Sequence, residues 1–278
     1  ILNEKLIGIH KKRELPNISS YTFESWFRKR KSNTSKSRGK ILFFHDTHIN
    51  FIHPEVGKSA VKILEAAGYE VEIADRKCCG RTMISKGLLD EAKKNVDFNT
   101  DLLYKYVEQG IKIVGVEASC MSSMQDEFPD LATDKSKAKQ ISENTFTVQD
   151  LLMQIHDDGK QQINWNATAK NLLLFVHCHE RALDGTSNSL GSLNLPNEFN
   201  ANLIDAGCCG MAGSFGMEKE HYDISKKMAE DRLLPAINNS SKEEEIIVTG
   251  ISCHDQIDDL SNKKPKYLVE VLAEAIDS

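Results

Sequence analysis

Two adjacent cysteines between glycines stand out in the second half of the chain, where Gly207, Cys208, Cys209 and Gly210 follow one another. Glycines add little to a packed core, because they bury no side chain and lose much backbone entropy on folding. Two neighbouring thiolates reach one small ion with difficulty, whereas an iron–sulfur cluster offers each sulfur its own iron. Cysteine thiolates hold such clusters, typically four at a time. The pair therefore indicates cluster chemistry, with two buried cysteines beside a turn as the plainer interpretation.

The same pattern occurs earlier in the chain, and the two halves align when one is shifted by about 130 positions. All seven cysteines belong to this repeated pattern: Cys78, Cys79, Cys120, Cys178, Cys208, Cys209 and Cys253. Seven scattered core cysteines would not produce such an alignment. We therefore interpret them as two sets of metal ligands, one in each half.

The second half supplies the four thiolates that a [4Fe–4S] cluster takes: Cys178, Cys208, Cys209 and Cys253. We expect the backbone amides of Gly207, Gly210 and Gly213 to approach the cluster, because hydrogen bonds to sulfur help to set its reduction potential. His179 directly follows the first of these cysteines. It is a candidate for a donor beside the cluster, or simply a residue at the rim of the site.

Three other kinds of site compete with a cluster in the second half. Structural zinc sites are often tetrahedral and fully cysteinyl, but familiar ones use C-x₂₋₄-C pairs, and this chain has none. A phosphate-binding loop would explain the glycines, although their spacing is not the dinucleotide fingerprint. Cys208 and Cys209 could also form a strained vicinal disulfide, which gives a thiol–disulfide enzyme as a further hypothesis.

The first half offers an incomplete set, because Thr47 stands where its partner has Cys178. A hydroxyl group is a poor substitute for a thiolate toward iron. Either His45 or His48 supplies the fourth ligand, or this half has lost its cluster, and we favour loss. Cys78, Cys79 and Cys120 would then be structural or form a weak metal site.

Strands alternate with helices from residue 40 onward. Short apolar or alternating runs predict strands at 41–44, 71–73, 111–116, 172–176, 202–204 and 246–248. Helical spacing predicts helices at 56–67, 88–107, 148–156 and 222–234. This alternation indicates an α/β fold of two similar lobes, 40–158 and 159–278, each a mainly parallel sheet flanked by helices. Every cysteine follows a predicted strand, and the carboxyl ends of parallel strands form the crevice where ligands bind.

The first 39 residues show no clear period that would form a core. The basic run 28–31 and the Ser/Thr/Lys mixture after it predict a solvated linker. A basic patch for nucleic acid is the alternative interpretation.

Composition limits the classes of protein to consider. The chain has 278 residues, 40% of them apolar and 27% charged, enough for one large or two ordinary domains. A net charge of −6 argues against a nucleic-acid partner. The sequence lacks a secretory signal and an apolar run that would span a bilayer, and its odd cysteine count favours reduced thiols in the cytoplasm. It begins with Ile1 and not Met, which is consistent with a piece of a longer protein.

The cysteine pattern resembles the tandem cysteine-rich CCG domain. That domain occurs in one of the subunits of heterodisulfide reductase, in the small subunit of anaerobic glycerol-3-phosphate dehydrogenase and in lactate-utilisation iron–sulfur proteins. The chain is most similar to the C-terminal part of FAD-linked 2-hydroxyacid dehydrogenases that act on D-lactate, glycolate or 2-hydroxyglutarate. Five segments carry the resemblance: 53–57, 78–81, 117–120, 177–179 and 207–216.

The resemblance implies an electron relay. FAD on a missing segment or a partner protein would oxidise the hydroxyacid, and this chain would pass electrons to a later acceptor. One departure from the family concerns its last motif, often C-x-x-C, in which Ser123 and Gln256 replace the second cysteine. An ordinary four-thiolate cluster is therefore expected, and disulfide reduction is disfavoured.

Overall fold

The computed structural model describes residues 4–5, 7–31, 38–160 and 163–276. The first half contains α1 (Phe23–Lys29), β1 (Lys40–Phe43), α2 (Thr47–Phe51), α3 (Pro54–Ala66), β2 (Glu70–Glu72), α4 (Arg81–Ser85), α5 (Leu89–Val107), β3 (Lys112–Gly115), α6 (Ala118–Ser122), a π-helical turn (Ser123–Glu127), α7 (Phe128–Leu131), α8 (Lys135–Glu143), β4 (Thr145–Thr147) and α9 (Val148–Asp157). The second half contains β5 (Lys170–Phe175), α10 (Cys178–Leu183), α11 (Ser187–Leu193), β6 (Phe199–Leu203), a 3₁₀ turn (Phe215–Met217), α12 (Tyr222–Asp231), α13 (Leu233–Asn239), β7 (Glu244–Val248), α14 (Ile251–Leu260), β8 (Lys266–Tyr267) and α15 (Leu268–Glu274).

Two parallel sheets of four strands have the same order, β2-β1-β3-β4 and β6-β5-β7-β8. The central strands pair in register, so that Leu42 lies opposite Ile113 in the first sheet and Leu174 opposite Ile247 in the second. Residues of both central strands are buried on both faces, as is usual for parallel sheets covered by helices. The predicted α/β fold with two similar lobes is confirmed.

One buried apolar cluster contains side chains of both lobes. Val61 and Leu64 of α3 belong to it, as do Val271 and Leu272 of α15. Pro54 occupies the first turn of α3, where the missing N–H would have no helical partner. The two lobes therefore share part of one hydrophobic core.

The longest helix in the described ranges is polar at its start. α5 extends over 19 residues, with Asp90 and Glu91 in its first turn. Among the residues that the structure describes, no helix is both long and apolar enough to span a membrane.

The sheets and helices differ from the sequence-based expectation in several places, and helices α8, α14 and α15 were not predicted. β4 and β8 were not predicted, because runs of three and two residues are too short to show an alternating period. The single helix predicted over 222–234 is two helices, which separate at Arg232 with φ −137°. Pro235 causes the break, because its ring lacks an N–H and clashes with the carbonyl group four residues earlier.

The segment before β1 also differs from the predicted solvated linker. Phe23 on α1 is 0% exposed, and a methyl group added to Gly57 would lie 2.5 Å from its Cδ2. Arg30 forms an ion pair of 2.5 Å with Glu65 of α3. Trp26 and Phe27 pack against the same apolar cluster as Phe23. Aromatic residues at helical spacing thus attach α1 to the first lobe. Residues 32–37 of the predicted linker lie outside the described residues, and the lobe boundary near residue 158 stays a prediction.

We predict that Phe23→Ala lowers the free energy of unfolding by about 3–5 kcal/mol, because it leaves a cavity against α3. Ile18→Ala is the matched control, since Ile18 is 80% exposed and its loss should cost less than about 0.5 kcal/mol. Urea denaturation of both variants measures the difference. Equal stability of the two variants would support the original interpretation of this segment as a solvated linker.

Candidate metal centre

A single cavity of about 580 Å³ is lined by both lobes and by six of the seven cysteines. The six are Cys78, Cys79, Cys120, Cys178, Cys208 and Cys209. The seventh, Cys253, is buried and contacts Cys209. The carboxyl ends of the strands thus bring both predicted sets of cysteines to one place.

In the second lobe, three connections after strands position the four thiols. Cys178 opens α10 directly after β5, and Cys253 lies in the first turn of α14 after β7. Cys208 and Cys209 lie in the segment 207–216 that follows β6, here called the glycine loop. Each thiol therefore comes from a different connection, apart from the adjacent pair.

The four thiols of the second lobe form a connected series. Cys208 shares hydrogen bonds with Cys178 and Cys209. Cys209 in turn contacts Cys253. In the described ranges, however, no three thiol sulfurs all lie within 4.8 Å of one another. A tetrahedral zinc site would need sulfurs about 3.8 Å apart, since Zn–S bonds measure about 2.3 Å. The wider arrangement fits a multi-iron cluster better than one small ion.

The series of thiols favours a single negative charge at its centre. Hydrogen bonds from Cys178 and Cys209 lower the pKa of Cys208 to about 2. The contact with Cys208 raises the pKa of Cys178, and contacts with Cys208 and Cys253 raise that of Cys209. Removing the remaining protons requires a compensating positive charge, which a bound metal supplies.

The glycine loop supplies one direct backbone contact to sulfur. The Gly210 N–H donates to Cys208 Sγ at 3.4 Å, whereas the Gly213 N–H donates to Ser252 Oγ at 3.2 Å. The Gly207 carbonyl accepts from Arg181 Nη2 at 2.7 Å, which holds the start of the loop. Of the three expected amides, Gly210 therefore touches a sulfur, and Gly213 is used to attach the loop to the segment before Cys253.

Two histidines flank Cys178 and line the cavity. The His179 backbone N–H donates to His177 Nδ1 at 3.3 Å, and the two rings lie 5.1 Å apart. Burial lowers the pKa of His177 to about 4 and also lowers the pKa of His179. Both imidazoles are therefore neutral at pH 7 and leave the charge of the site to the cysteines.

The first lobe has three cysteines, and two of their thiols are in direct contact. Cys79 Sγ and Cys120 Sγ are 3.0 Å apart. The contact with Cys79 lowers the pKa of Cys120, but burial together with the nearby acidic groups of Asp46 and Glu117 outweighs that contact and raises the pKa to about 11. Thr47 and His48 line the cavity beside these thiols, whereas His45 packs against Phe23 with ring centroids 5.6 Å apart. Of the two histidines considered for a fourth ligand, His48 thus lies at the cavity and His45 does not line it.

Sequence reasoning missed three polar residues that hold the site. Glu117, 3% exposed, accepts from the Ser119 hydroxyl group at 2.8 Å and, across the lobes, from the Ile251 N–H at 2.9 Å. Gln256 Nε2 donates to the Cys209 carbonyl at 2.7 Å. Arg13 donates from Nε to the Gly216 carbonyl at 2.8 Å. Gln256 stands in the sequence as a departure from the family's last C-x-x-C motif, but that departure does not reveal its bond to Cys209. The other two depend on long-range contacts.

A family model named CCG and described as a cysteine-rich domain matches residues 43–125 and 172–258, one range in each lobe. The C subunit of anaerobic glycerol-3-phosphate dehydrogenase from Escherichia coli (strain K12) is 26% identical over 279 residues, covering 99% of this chain and 69% of that protein. D-2-hydroxyglutarate dehydrogenase of Pantoea ananatis (strain AJ13355) is 23% identical, over 88% of this chain and 23% of that protein. Lactate utilization protein A of Bacillus velezensis (strain DSM 23117 / BGSC 10A6 / LMG 26770 / FZB42) is 24% identical, over 86% of this chain and 99% of that protein.

Two glycines of the glycine loop provide a matched pair of variants. Both have positive φ, +90° at Gly210 and +64° at Gly213, but only at Gly210 would a new Cβ collide, 2.3 Å from the Ser225 carbonyl oxygen. Gly213→Ala should cost about 1–2 kcal/mol of unfolding free energy from its backbone conformation. Gly210→Ala should cost about 1–3 kcal/mol more from overpacking. Chemical denaturation checks the order, and equal costs would contradict this packing.

Proposed function

We infer that this chain, which belongs to the CCG cysteine-rich domain family, is an electron-transfer component of a dehydrogenase. The observation that carries the proposal is the connected series of four thiols in the second lobe, which borders the cavity. Its relatives support the reaction class, since two of them are named as a dehydrogenase or as part of one.

Cys178, Cys208, Cys209 and Cys253 would hold a [4Fe–4S] cluster in the second lobe. The donor set fits this group, because four cysteine thiolates are its usual ligands and the sulfurs are spread too widely for one tetrahedral ion. When bound, the cluster supplies one-electron oxidation and reduction at a potential that its surroundings adjust. In the first lobe, Thr47 leaves the set incomplete, and we propose that this lobe holds no cluster.

The protein groups around the thiols would adjust the charge and exposure of the site. The Gly210 N–H donates to Cys208 Sγ, which stabilises negative charge on that sulfur. Cys209 and Cys253 are 3% and 1% exposed, whereas Cys178 and Cys208 are half-buried and line the cavity. Electrons would therefore enter or leave on the side of Cys178 and Cys208.

The electrons would come from a flavin outside this chain. Oxidation of an alcohol carbon to a carbonyl releases two electrons and two protons, which a flavin accepts together, whereas a cluster accepts electrons singly. D-2-hydroxyglutarate and lactate, in the names of two relatives, are 2-hydroxyacids. We propose that a FAD-containing segment or partner protein oxidises a 2-hydroxyacid, and that this chain passes the electrons to a downstream acceptor.

We predict that the protein purified without oxygen is brown and contains about four iron ions and four acid-labile sulfides per chain. Cys208→Ser should remove most of the visible absorbance and the iron, because it deletes the central thiolate of the series. Cys78→Ser is the matched control from the first lobe and should retain the iron. Elemental analysis, sulfide assay and EPR of the reduced protein make the comparison.

A stoichiometric amount of zinc without labile sulfide would contradict the cluster. It would favour the alternative function, a non-redox module that binds a partner protein and in which zinc has a structural role. Loss of iron in Cys78→Ser to the same extent as in Cys208→Ser would instead place the cluster across both lobes. Activity of metal-free protein toward disulfides would support the thiol–disulfide alternative.

A further inference from the structure

A second group of metal-ligating side chains lies at the junction of the two lobes, apart from the cysteines. It consists of His53, at the start of α3 in the first lobe, and His254 and Asp255 of α14 in the second. One ligand atom from each of the three lies within 4.8 Å of the other two. In the described part of the chain, this is the only such group of three histidine, cysteine or carboxylate side chains.

The imidazoles of His53 and His254 pack against each other and against the ring of Tyr267. Their ring centroids are 5.1 Å apart, and the ring planes cross at 62°. Tyr267, 4% exposed, stacks on His254 at 5.3 Å and contacts His53 at 5.7 Å. All three ligand residues are half-buried, and their side chains therefore lose part of their rotational freedom before any ion binds. Such preorganisation reduces the entropy lost on binding.

The fold itself does not account for the side chain of His53. This residue is the N-cap of α3, yet its imidazole makes no capping hydrogen bond. Asp255 accepts or shares a proton with His254 Nδ1 at 3.2 Å, which leaves the other nitrogen of His254 available. The ligand atoms are thus close together and only partly used by the protein.

The surroundings favour a cation. Asp46 is 2% exposed, and its Oδ2 has no hydrogen-bond partner. Asp46 and Asp255 both lie close enough to His53 to act electrostatically on its ring. Asp255 also lines the cavity, which gives an ion a path from solvent. The other oxygen of Asp46, Oδ1, accepts from the backbone N–H groups of His48 and Ile49. A buried carboxyl oxygen without a partner is costly, and a positive ion near Oδ2 would reduce that cost.

We propose that His53, His254 and Asp255 bind a divalent transition-metal ion such as Zn²⁺, which links the two lobes. Two imidazoles and one carboxylate are a ligand set that zinc adopts when it keeps a further position open for water. Imidazole selects zinc, copper, nickel or iron over the oxygen-preferring magnesium and calcium. The site does not depend on the cluster proposed for the second lobe.

The test uses Co²⁺ as a spectroscopic substitute for zinc in the full chain. The cluster is first assembled without oxygen, and bound cobalt is measured after desalting. His53→Gln and His254→Gln each remove one imidazole, and His156→Gln, at an exposed histidine on α9, is the matched control. The wild type and the control should bind about one more cobalt ion per chain than either variant, with affinity at least about tenfold higher.

The absorption spectrum separates this site from the cysteines. Cobalt held by nitrogen and oxygen gives weak visible bands, whereas thiolate ligands add strong charge-transfer bands in the near ultraviolet. Equal cobalt content in the wild type, His53→Gln and His254→Gln, or thiolate bands alone, would overturn the proposal. Iron and sulfide content measured on the same samples shows whether the cluster is present, so failure of either site is seen separately.

Zinc should also stabilise the protein through this site. A ligand that binds only the folded state raises the temperature of unfolding as its concentration rises above Kd. Excess Zn²⁺ should raise that temperature in the wild type and in His156→Gln more than in His53→Gln. An equal rise in all three would show that zinc acts elsewhere, and would refute a site built on His53.

Discussion

The carboxyl group of Glu117 is the contact on which the arrangement of the two cysteine sets depends. It accepts hydrogen bonds at the start of α6, which carries Cys120, and from the first N–H of α14, which carries Cys253. The first N–H groups of a helix have no partner within the helix, so an acceptor there fixes where the helix begins. Gly250 keeps the second of these contacts short, because an added Cβ would lie 2.8 Å from His177. One buried side chain thus aligns the cysteine-bearing connections of both lobes.

The two lobes share a fold and differ in their cysteines. The second lobe has a connected series of four thiols and a glycine loop with an N–H on sulfur. The first lobe retains Cys79 and Cys120 in direct contact and has a hydroxyl group at Thr47 in place of the fourth thiol. The two lobes have the same strand order, whereas four cysteines are present in the second lobe and three in the first.

The sequence contained enough periodic signal to predict the central strands, the long helices and the position of each cysteine after a strand. It did not predict β4 and β8, which are too short to show a period, or the break that Pro235 causes before α13. It also missed the packing of α1, because the helical spacing of Phe23, Trp26 and Phe27 covers only one turn of an otherwise polar segment. The expected contact of Gly210 with sulfur has a counterpart in the structure, while the bonds of Glu117 and Arg13 join residues too distant along the chain for local reasoning.

The apolar cluster that includes α3 and α15 has a consequence for the independence of the lobes. Side chains such as Leu64 and Val271 are 0% exposed only while both halves are present. Each half alone would expose this apolar surface to water, and it would therefore aggregate or bind the other half. A protease cut in the connection between the halves would therefore give a nicked heterodimer that remains associated, and the halves would denature in one cooperative transition.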